Sequence, residues 1–404
     1  MMPTMTMVST TAFEPLTSDF FGYSNLLTER EKESLAALRE YLESEVKPIV
    51  NDLWEKAEFP HQVVKRLAEL DLYRFAWEET RTFANSAVFR GFVALELARI
   101  DASIATHVGV HNGLAMGSIS VAGSAEQRAE WLPQMASGDV VGAFGLTEPD
   151  SGSDSAQGLR TVATRDEATG DWILNGSKRW IGNATFSDIT IIWAMSADDG
   201  QVKGFIVKTD TPGYTATKIE GKQSLRIVQN ADITLENVRV PEAMRLQNGN
   251  SFRDTAAVLR LTRAEVAWAA VGNSIGAYEA AVRYTKQRVQ FGKPIASHQL
   301  IQDLLVKSLG NITASLAMVV RVSQMLDEGT QRDEHSALAK AFATARMRET
   351  VAWCREALGG NGIVLEYDVA RHFADAEALY SYEGTREMNT LIVGRKITGF
   401  AAFV

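Results

Sequence analysis

The period of the apolar residues changes twice along this 404-residue chain, and those two changes limit its fold more than any other feature. In TEREKESLAALREYLESEVKPI, Leu35, Leu38, Leu42 and Val46 recur every three or four residues with charges between them, the spacing of a helix with one buried face. Thr28 followed by Glu31 predicts a capping box at its start. The run FRGFVALELARIDASIATHVGVHNGLAMGSISVAG is also helical, and its poverty in charge predicts burial. From about 140 to 247 the period becomes two, as in DWILNGSKRWIG, DITIIWAM, GFIVK and ADITLENVRVP, with Asn175-Gly176 as the strongest hairpin signal. Beyond 250 the helical period returns. Ala264, Val271, Ile275, Tyr278 and Val282 form one stripe and Leu305, Leu309, Ile312, Leu316 and Val319 the next, with Gly329 and Gly359-Gly360 as stops, predicting four long helices. The expected fold is α+β and multidomain: a loose arm (1–24), an N-terminal helical domain (25–139), a middle β-barrel or sandwich (140–247) and a C-terminal four-helix bundle (248–404).

Charge narrows the partners. Against 41 basic side chains stand 50 acidic ones, a net charge of −9, and no Lys/Arg block exceeds a pair. Neither nucleic acid nor membrane insertion is expected. Cys354 is alone, which excludes a disulfide framework and cysteine-based metal centres and fits a reducing cytosol, so a cytoplasmic location is expected. The N-terminal twenty residues lack the basic start and apolar run of a signal peptide. His107 and His111 share a helical spacing without the Glu of a zinc motif, so no metal site is expected. Neither G-x-G-x-x-G after a strand nor G-x-x-x-x-G-K-[ST] occurs.

Four segments carry chemistry. GAFGLTEPDSGSD (142–154) ends a strand and then concentrates Pro149, Gly152 and short polar side chains, a nest suited to a pyrophosphate or a flavin edge; alone it is an ordinary turn. In YSYEGTREMN, Glu383 stands between Tyr382 and Gly384, where an aromatic wall would dry a carboxylate into a usable base; alone it is a surface residue. KQRVQFGKP offers Arg288 for a phosphate and Phe291 for stacking, and EALGGNGI offers glycines at a helix end; each alone is a helix terminus.

With GLTEPDSGSD, RWIGN, RVQFGKP, LGGNGI and YEGT in this order from about Leu26 to the end, the chain resembles the acyl-CoA dehydrogenase family of flavoproteins. The resemblance implies that family's three-domain fold and FAD as cofactor. It also implies α,β-dehydrogenation of a short-chain acyl-CoA thioester to trans-2-enoyl-CoA, as in fatty acid β-oxidation. It places Phe144, Leu146, Thr147, Gly152, Trp180 and Gly182 beside the flavin, with Ser153 at the pyrophosphate and the substrate. Arg288, Phe291, Gly359 and Gly360 match positions that hold the adenosine half from a neighbouring subunit, and Thr385 and Glu387 match ring-side ones, implying a homo-oligomer, a tetramer in most members. Glu383 matches the catalytic base, with hydride passing to flavin N5; Arg263, Tyr382 and Gly384 match substrate-binding positions. Some members carry the base one residue before that arginine, where this chain has Thr262, which cannot serve.

Within the family the likeness is strongest to glutaryl-CoA dehydrogenases and plant short-chain acyl-CoA oxidases. Glutaryl enzymes place an arginine where Ala105 stands and a glutamate where Ala98 stands, so glutaryl-CoA is a disfavoured substrate. Most dehydrogenases carry Thr or Ser where this chain has Gly182, so the electron acceptor is either an electron-transferring flavoprotein or oxygen. A non-CoA flavin oxidase and a DNA-associated flavoprotein are the remaining alternatives; Arg263 and the −9 charge stand against them.

Overall fold

A computed structural model describes residues 12–402 of the chain. Its first layer is helical: α1 (Glu29–Tyr41), α2 (Lys47–Lys56), α3 (Gln62–Glu69), α4 (Ala87–Ile100), α5 (Ala102–Val108), α6 (Gly117–Ala122) and α7 (Ala125–Ala136). The expected capping box is present: Glu31 N–H donates to Thr28 Oγ1 at 3.3 Å and Thr28 N–H donates to Glu31 Oε2 at 2.8 Å. Nearly all of α4 is buried, as its lack of charge predicts.

A seven-stranded sheet follows: β1 (Gly142–Gly145), β2 (Val162–Arg165), β3 (Trp172–Ile181), β4 (Ile189–Ser196), β5 (Val202–Lys208), β6 (Tyr214–Lys218) and β7 (Ala231–Val240), in the order β1-β4-β2-β3-β7-β6 with β5 also on β4. β1 runs parallel to the first half of β4, Gly142 opposite Ile189 through Gly145 opposite Ile192, and β2 runs parallel to its last two residues. The chain therefore leaves the sheet at Leu146 and re-enters it at Val162, and the Pro149 turn lies in that interruption. The C-terminal part holds α8 (Phe252–Gln287), the small hairpin β8 (Val289–Gln290) and β9 (Lys293–Pro294), α9 (Gln299–Asp327), α10 (Asp333–Ala357), α11 (Val369–Ser381) and α12 (Arg386–Thr398). α9 is long and apolar enough, by length and composition, to cross a membrane; here it packs along α8 and α10.

Glycine lets α4 and α8 approach closely. A Cβ on Gly91 would lie 2.1 Å from the Trp268 ring, and one on Gly272 would lie 2.2 Å from the Leu95 carbonyl oxygen. The second contact is backbone and cannot rotate away. Gly272→Ala is therefore expected to lower unfolding stability by about 1–3 kcal/mol, read as a lower Tm. The same layers are tied by the buried pair Arg371–Asp101 at 2.8 Å.

Three expectations are corrected. Asn175-Gly176 is no hairpin: it lies inside β3, where the register against β7 shifts between Leu174 and Gly176. Gly176 has φ +145° and a Cβ there would lie 2.6 Å from Thr161 Cα, so the glycine serves a bulge and a close approach. Of the expected loose arm, residues 1–11 lie outside the described residues, but the remainder is docked: Phe13 and Leu16 pack on the core, Ser18 is buried, and the Asp19 carboxylate accepts the Tyr23 and Ser24 N–H groups at 2.8 Å. Finally, three helices are long, not four; α11 and α12 have 13 residues each because the Tyr382–Thr385 turn separates them.

Candidate active site

The chemistry-bearing residues meet where the three layers join. Between α5 and α6 the segment Gly109–Met116 is wound as a π-helix and lies against β1. Its Val110 faces the sheet, since a Cβ on Gly182 would lie 3.2 Å from Val110 Cγ2. Its Gly113 faces α8, since a Cβ there would lie 3.0 Å from both Thr262 Cγ2 and Glu265 Oε2.

The turn between α11 and α12 forms the opposite wall. Glu383 takes φ +52° and Gly384 φ +85°. For a glutamate this region is strained by about 1–3 kcal/mol, so its surroundings must hold it there. Tyr382 N–H donates to Ala378 O at 2.9 Å. The buried Asn389 donates its Nδ2 to Gly384 O at 2.9 Å and to Thr385 O at 3.0 Å. Lys340, 1% exposed, reaches from α10 and donates its ammonium to the carbonyls of both Tyr382 and Gly384. One cation thus anchors the carbonyls of the residues immediately before and after Glu383.

Burial raises the Glu383 carboxyl above its ordinary value of 4.5, while Lys340, the Thr262 hydroxyl and Arg263 pull it back. Its Oε2 is out of solvent and unpaired, and its backbone N–H donates to no acceptor among the described residues. Burial lowers Lys340 to about 7 against the attraction of Glu383. It also lowers Arg263, whose Nε is buried and unpaired. Glu265 is raised to about 7 by burial first and then by the charge of Glu383.

Several expected site residues share this region. Thr262 and Arg263 lie on α8 beside Glu383, with Tyr382 and Gly384 flanking it. On the sheet side, Phe144 is the third residue of β1 and Leu146, buried, comes directly after the strand ends; the Leu146 carbonyl accepts from Lys178 Nζ at 3.1 Å. The Thr147 carbonyl accepts Arg179 N–H at 2.8 Å, which brings the loop alongside Trp180. Trp180 takes φ +65° and is 51% exposed, with the Arg179 guanidinium 4.9 Å from its ring. Gly152 and Ser153 are exposed on the loop, while Thr385 caps α12, accepting Met388 N–H at 3.3 Å, and Glu387 is exposed on its first turn.

Four expected residues are not brought here. Arg288 lies twenty-five residues beyond Arg263 along α8, about 37 Å away at 1.5 Å per residue. Phe291, φ +54°, stands 93% exposed at the tip of the β8–β9 hairpin, and Gly359 and Gly360 are exposed after α10.

Sequence reasoning missed Lys340, Glu265, Asn389 and Lys178. A lone charge inside an apolar helical run, as in SALAKAFA and AEVAWAA, was the available signal for the first two. Lys178 is fully buried and pairs with Glu148 at 2.7 Å; Glu148 also accepts the N–H groups of Arg160 and Thr161 at 2.7 and 2.9 Å. Together these bonds fix both ends of the interrupted-sheet loop. The two histidines are fully engaged in the protein: His107 with Tyr73 Oη at 2.9 Å and Asn183 Oδ1 at 3.1 Å, His111 with Met135 O and Gly142 N, both at 3.0 Å.

Comparison with known proteins gives concordant results over most of the chain. Family models described as the acyl-CoA dehydrogenase N-terminal, middle and C-terminal domains match residues 28–139, 143–238 and 251–398. An acyl-CoA dehydrogenase of Bacillus subtilis is 34% identical over 90% of this chain and 96% of its own length. Among solved structures, a glutaryl-CoA dehydrogenase from Mycobacterium smegmatis in complex with FADH2 superposes with a TM-score of 0.91 at 35% identity, covering 95% of this chain and 98% of that one. Butyryl-CoA dehydrogenase from Megasphaera elsdenii superposes with a TM-score of 0.87 at 30% identity, covering 92% and 98%.

Proposed function

The chain belongs to the acyl-CoA dehydrogenase family, FAD-dependent oxidoreductases acting on CH–CH bonds, and from that premise we propose that it converts a short-chain acyl-CoA to the trans-2-enoyl-CoA with Glu383 as the α-proton base. The observation that carries this reading is the Glu383 carboxylate: dried, one oxygen unpaired, and held in a strained conformation by Lys340 and Asn389.

A thioester acidifies its α C–H, and a base with a pKa moved toward neutrality is matched to taking that proton. The Glu383 N–H is free to donate to the thioester carbonyl, where negative charge develops as the proton leaves. Burial keeps the carboxylate from water, and Arg263, buried beside it, offers the positive charge that anchors the CoA portion. When bound, FAD supplies the acceptor for the hydride leaving the β carbon. The residues fit this cofactor: Trp180 presents a half-exposed indole, and a Cβ on Gly152 would meet only Thr147 Cγ2, 3.9 Å away.

Arg288, about 37 Å along α8 from Arg263, and Phe291 just after it lie beyond the reach of one dinucleotide seated beside Glu383, so in this reading they, with the exposed Gly359 and Gly360, hold the adenosine half of a neighbouring copy's FAD. The exposed apolar side chains Leu300 and Val306 on α9, Ile397 near the end of α12 and Phe400 just beyond it supply surface for a homo-oligomer. The short-chain preference draws on the butyryl-CoA relative. Despite the glutaryl-CoA relatives, Ala105 and Ala98 leave a distal carboxylate without the cation it needs.

The test is a visible spectrum of the FAD-loaded protein titrated with acyl-CoAs of graded length. Bleaching strongest at four to six carbons supports the reading, and no bleaching at any length contradicts it. Because only ionised Glu383 can accept a proton and its pKa is raised, activity should be lost as pH falls through a midpoint above 4.5. The acid limb of kcat/KM reads this directly.

One observation favours oxygen as the electron acceptor. Gly182 puts no hydroxyl toward the flavin, and a side chain there would press on Val110. Reducing the protein with butyryl-CoA and mixing it with air decides the matter: reoxidation no faster than minutes rejects the oxidase reading.

A further inference from the structure

Glu265 has no role in the chemistry above, yet it lies in the same chamber. It stands three residues after Thr262 on α8, so the two share a helix face, and both border the space in front of Gly113. Glu265 makes no hydrogen bond or ion pair among the described residues. It is partly accessible, so it faces open space and not packed protein. The cation that its charge reaches is Arg90, which is already engaged by Asn85 Oδ1 at 2.8 Å and Asp327 at 4.0 Å. Asn112 Oδ1, in the same π-wound segment, is buried and also unpaired.

The direction of α8 places Glu265 relative to a substrate. The helix runs inward from the exposed Arg253 and Arg260, and every residue from Val266 to Ala277 is buried. CoA must reach solvent, so its side of the thioester leaves by the outer end. The acyl tail then points inward, where Glu265 closes the chamber. A plain alkyl tail would leave this carboxylate desolvated and without a partner, and a dicarboxylic tail would add a third negative charge beside Glu383 and Glu265.

We propose that Glu265 is a specificity-determining residue, selecting acyl-CoAs whose acyl chain ends in a cationic hydrogen-bond donor, an ammonium group. The inference rests on the acyl-CoA dehydrogenation reading and names the substrate class of that site.

Four five-carbon thioesters test it on the FAD-loaded protein: pentanoyl-, 5-hydroxypentanoyl-, 5-aminopentanoyl- and glutaryl-CoA. Two readouts are needed, kcat/KM from flavin bleaching and Kd from calorimetry. The 5-aminopentanoyl thioester should exceed pentanoyl by about 10- to 100-fold, and glutaryl should rank last. The isosteric E265Q should cut the ammonium preference at least tenfold, and E265L should reverse it, with thermal unfolding of both variants monitored. Pentanoyl-CoA equal to or better than the amino thioester, a hydroxyl preferred over ammonium, or an unchanged ratio in E265L would overturn the proposal while dehydrogenation stands. If none of the four bleaches the flavin, dehydrogenation fails and this assignment fails with it.

Discussion

Glu383→Gln is expected to slow flavin bleaching by butyryl-CoA by roughly 10³- to 10⁴-fold while leaving the flavin bound and the acyl-CoA affinity near that of the parent. The amide keeps the shape of the side chain and cannot accept a proton, so the effect isolates the chemistry. Thr262 offers no substitute at the one alternative position on α8, because its hydroxyl is no base near neutral pH, and the same variant reads whether Glu265, raised to about 7 by burial and by the charge of Glu383, can replace it. A ratio of rates below tenfold, with flavin content unchanged, would place the base elsewhere.

The second large effect belongs to Lys340. Its ammonium joins the carbonyls on both sides of Glu383, and its charge is the first influence that lowers the Glu383 pKa against burial. Lys340→Met keeps the buried stem and removes both functions. The turn then loses its anchor at a φ that glutamate does not adopt freely, and misplacement of a base by 1 Å is enough to cost about 10²-fold in rate. A merely structural lysine would reduce stability alone. A positioning lysine also moves the acid limb of the pH profile to higher pH, because Glu383 loses the cation that favoured its ionised form. Loss of about 10²-fold in kcat with that displacement supports the role; lower stability with an unmoved limb contradicts it.

The order of helix, sheet and helix was legible because the apolar period reports which faces are buried, and each long segment obeyed it. Asn175-Gly176 misled because the dipeptide reports a need for positive φ and a small side chain, which a bulge against Thr161 satisfies as well as a turn does. The docking of residues 13–24 depends on Asp19 meeting nearby N–H groups and on Phe13 and Leu16 finding the core. No periodicity encodes such contacts.

At the site, Glu383, Tyr382 and Gly384 could be read from one short motif because they are contiguous. Lys340 and Glu265 could not, because each matters only through a partner more than forty residues away in sequence. A charge in an apolar helical run marks that such a partner is needed, and only the packing of α8 and α10 around the turn identifies it.

The central claim is that a protein carboxylate breaks the α C–H bond of a thioester, and the most direct measurement is a single-turnover comparison of butyryl-CoA with its α,α-dideuterated form. Flavin bleaching in the parent protein should be several times slower with deuterium at the α carbon. Equal rates for the two isotopologues, with bleaching itself intact, would show that the α C–H bond is not broken in the step assigned to Glu383.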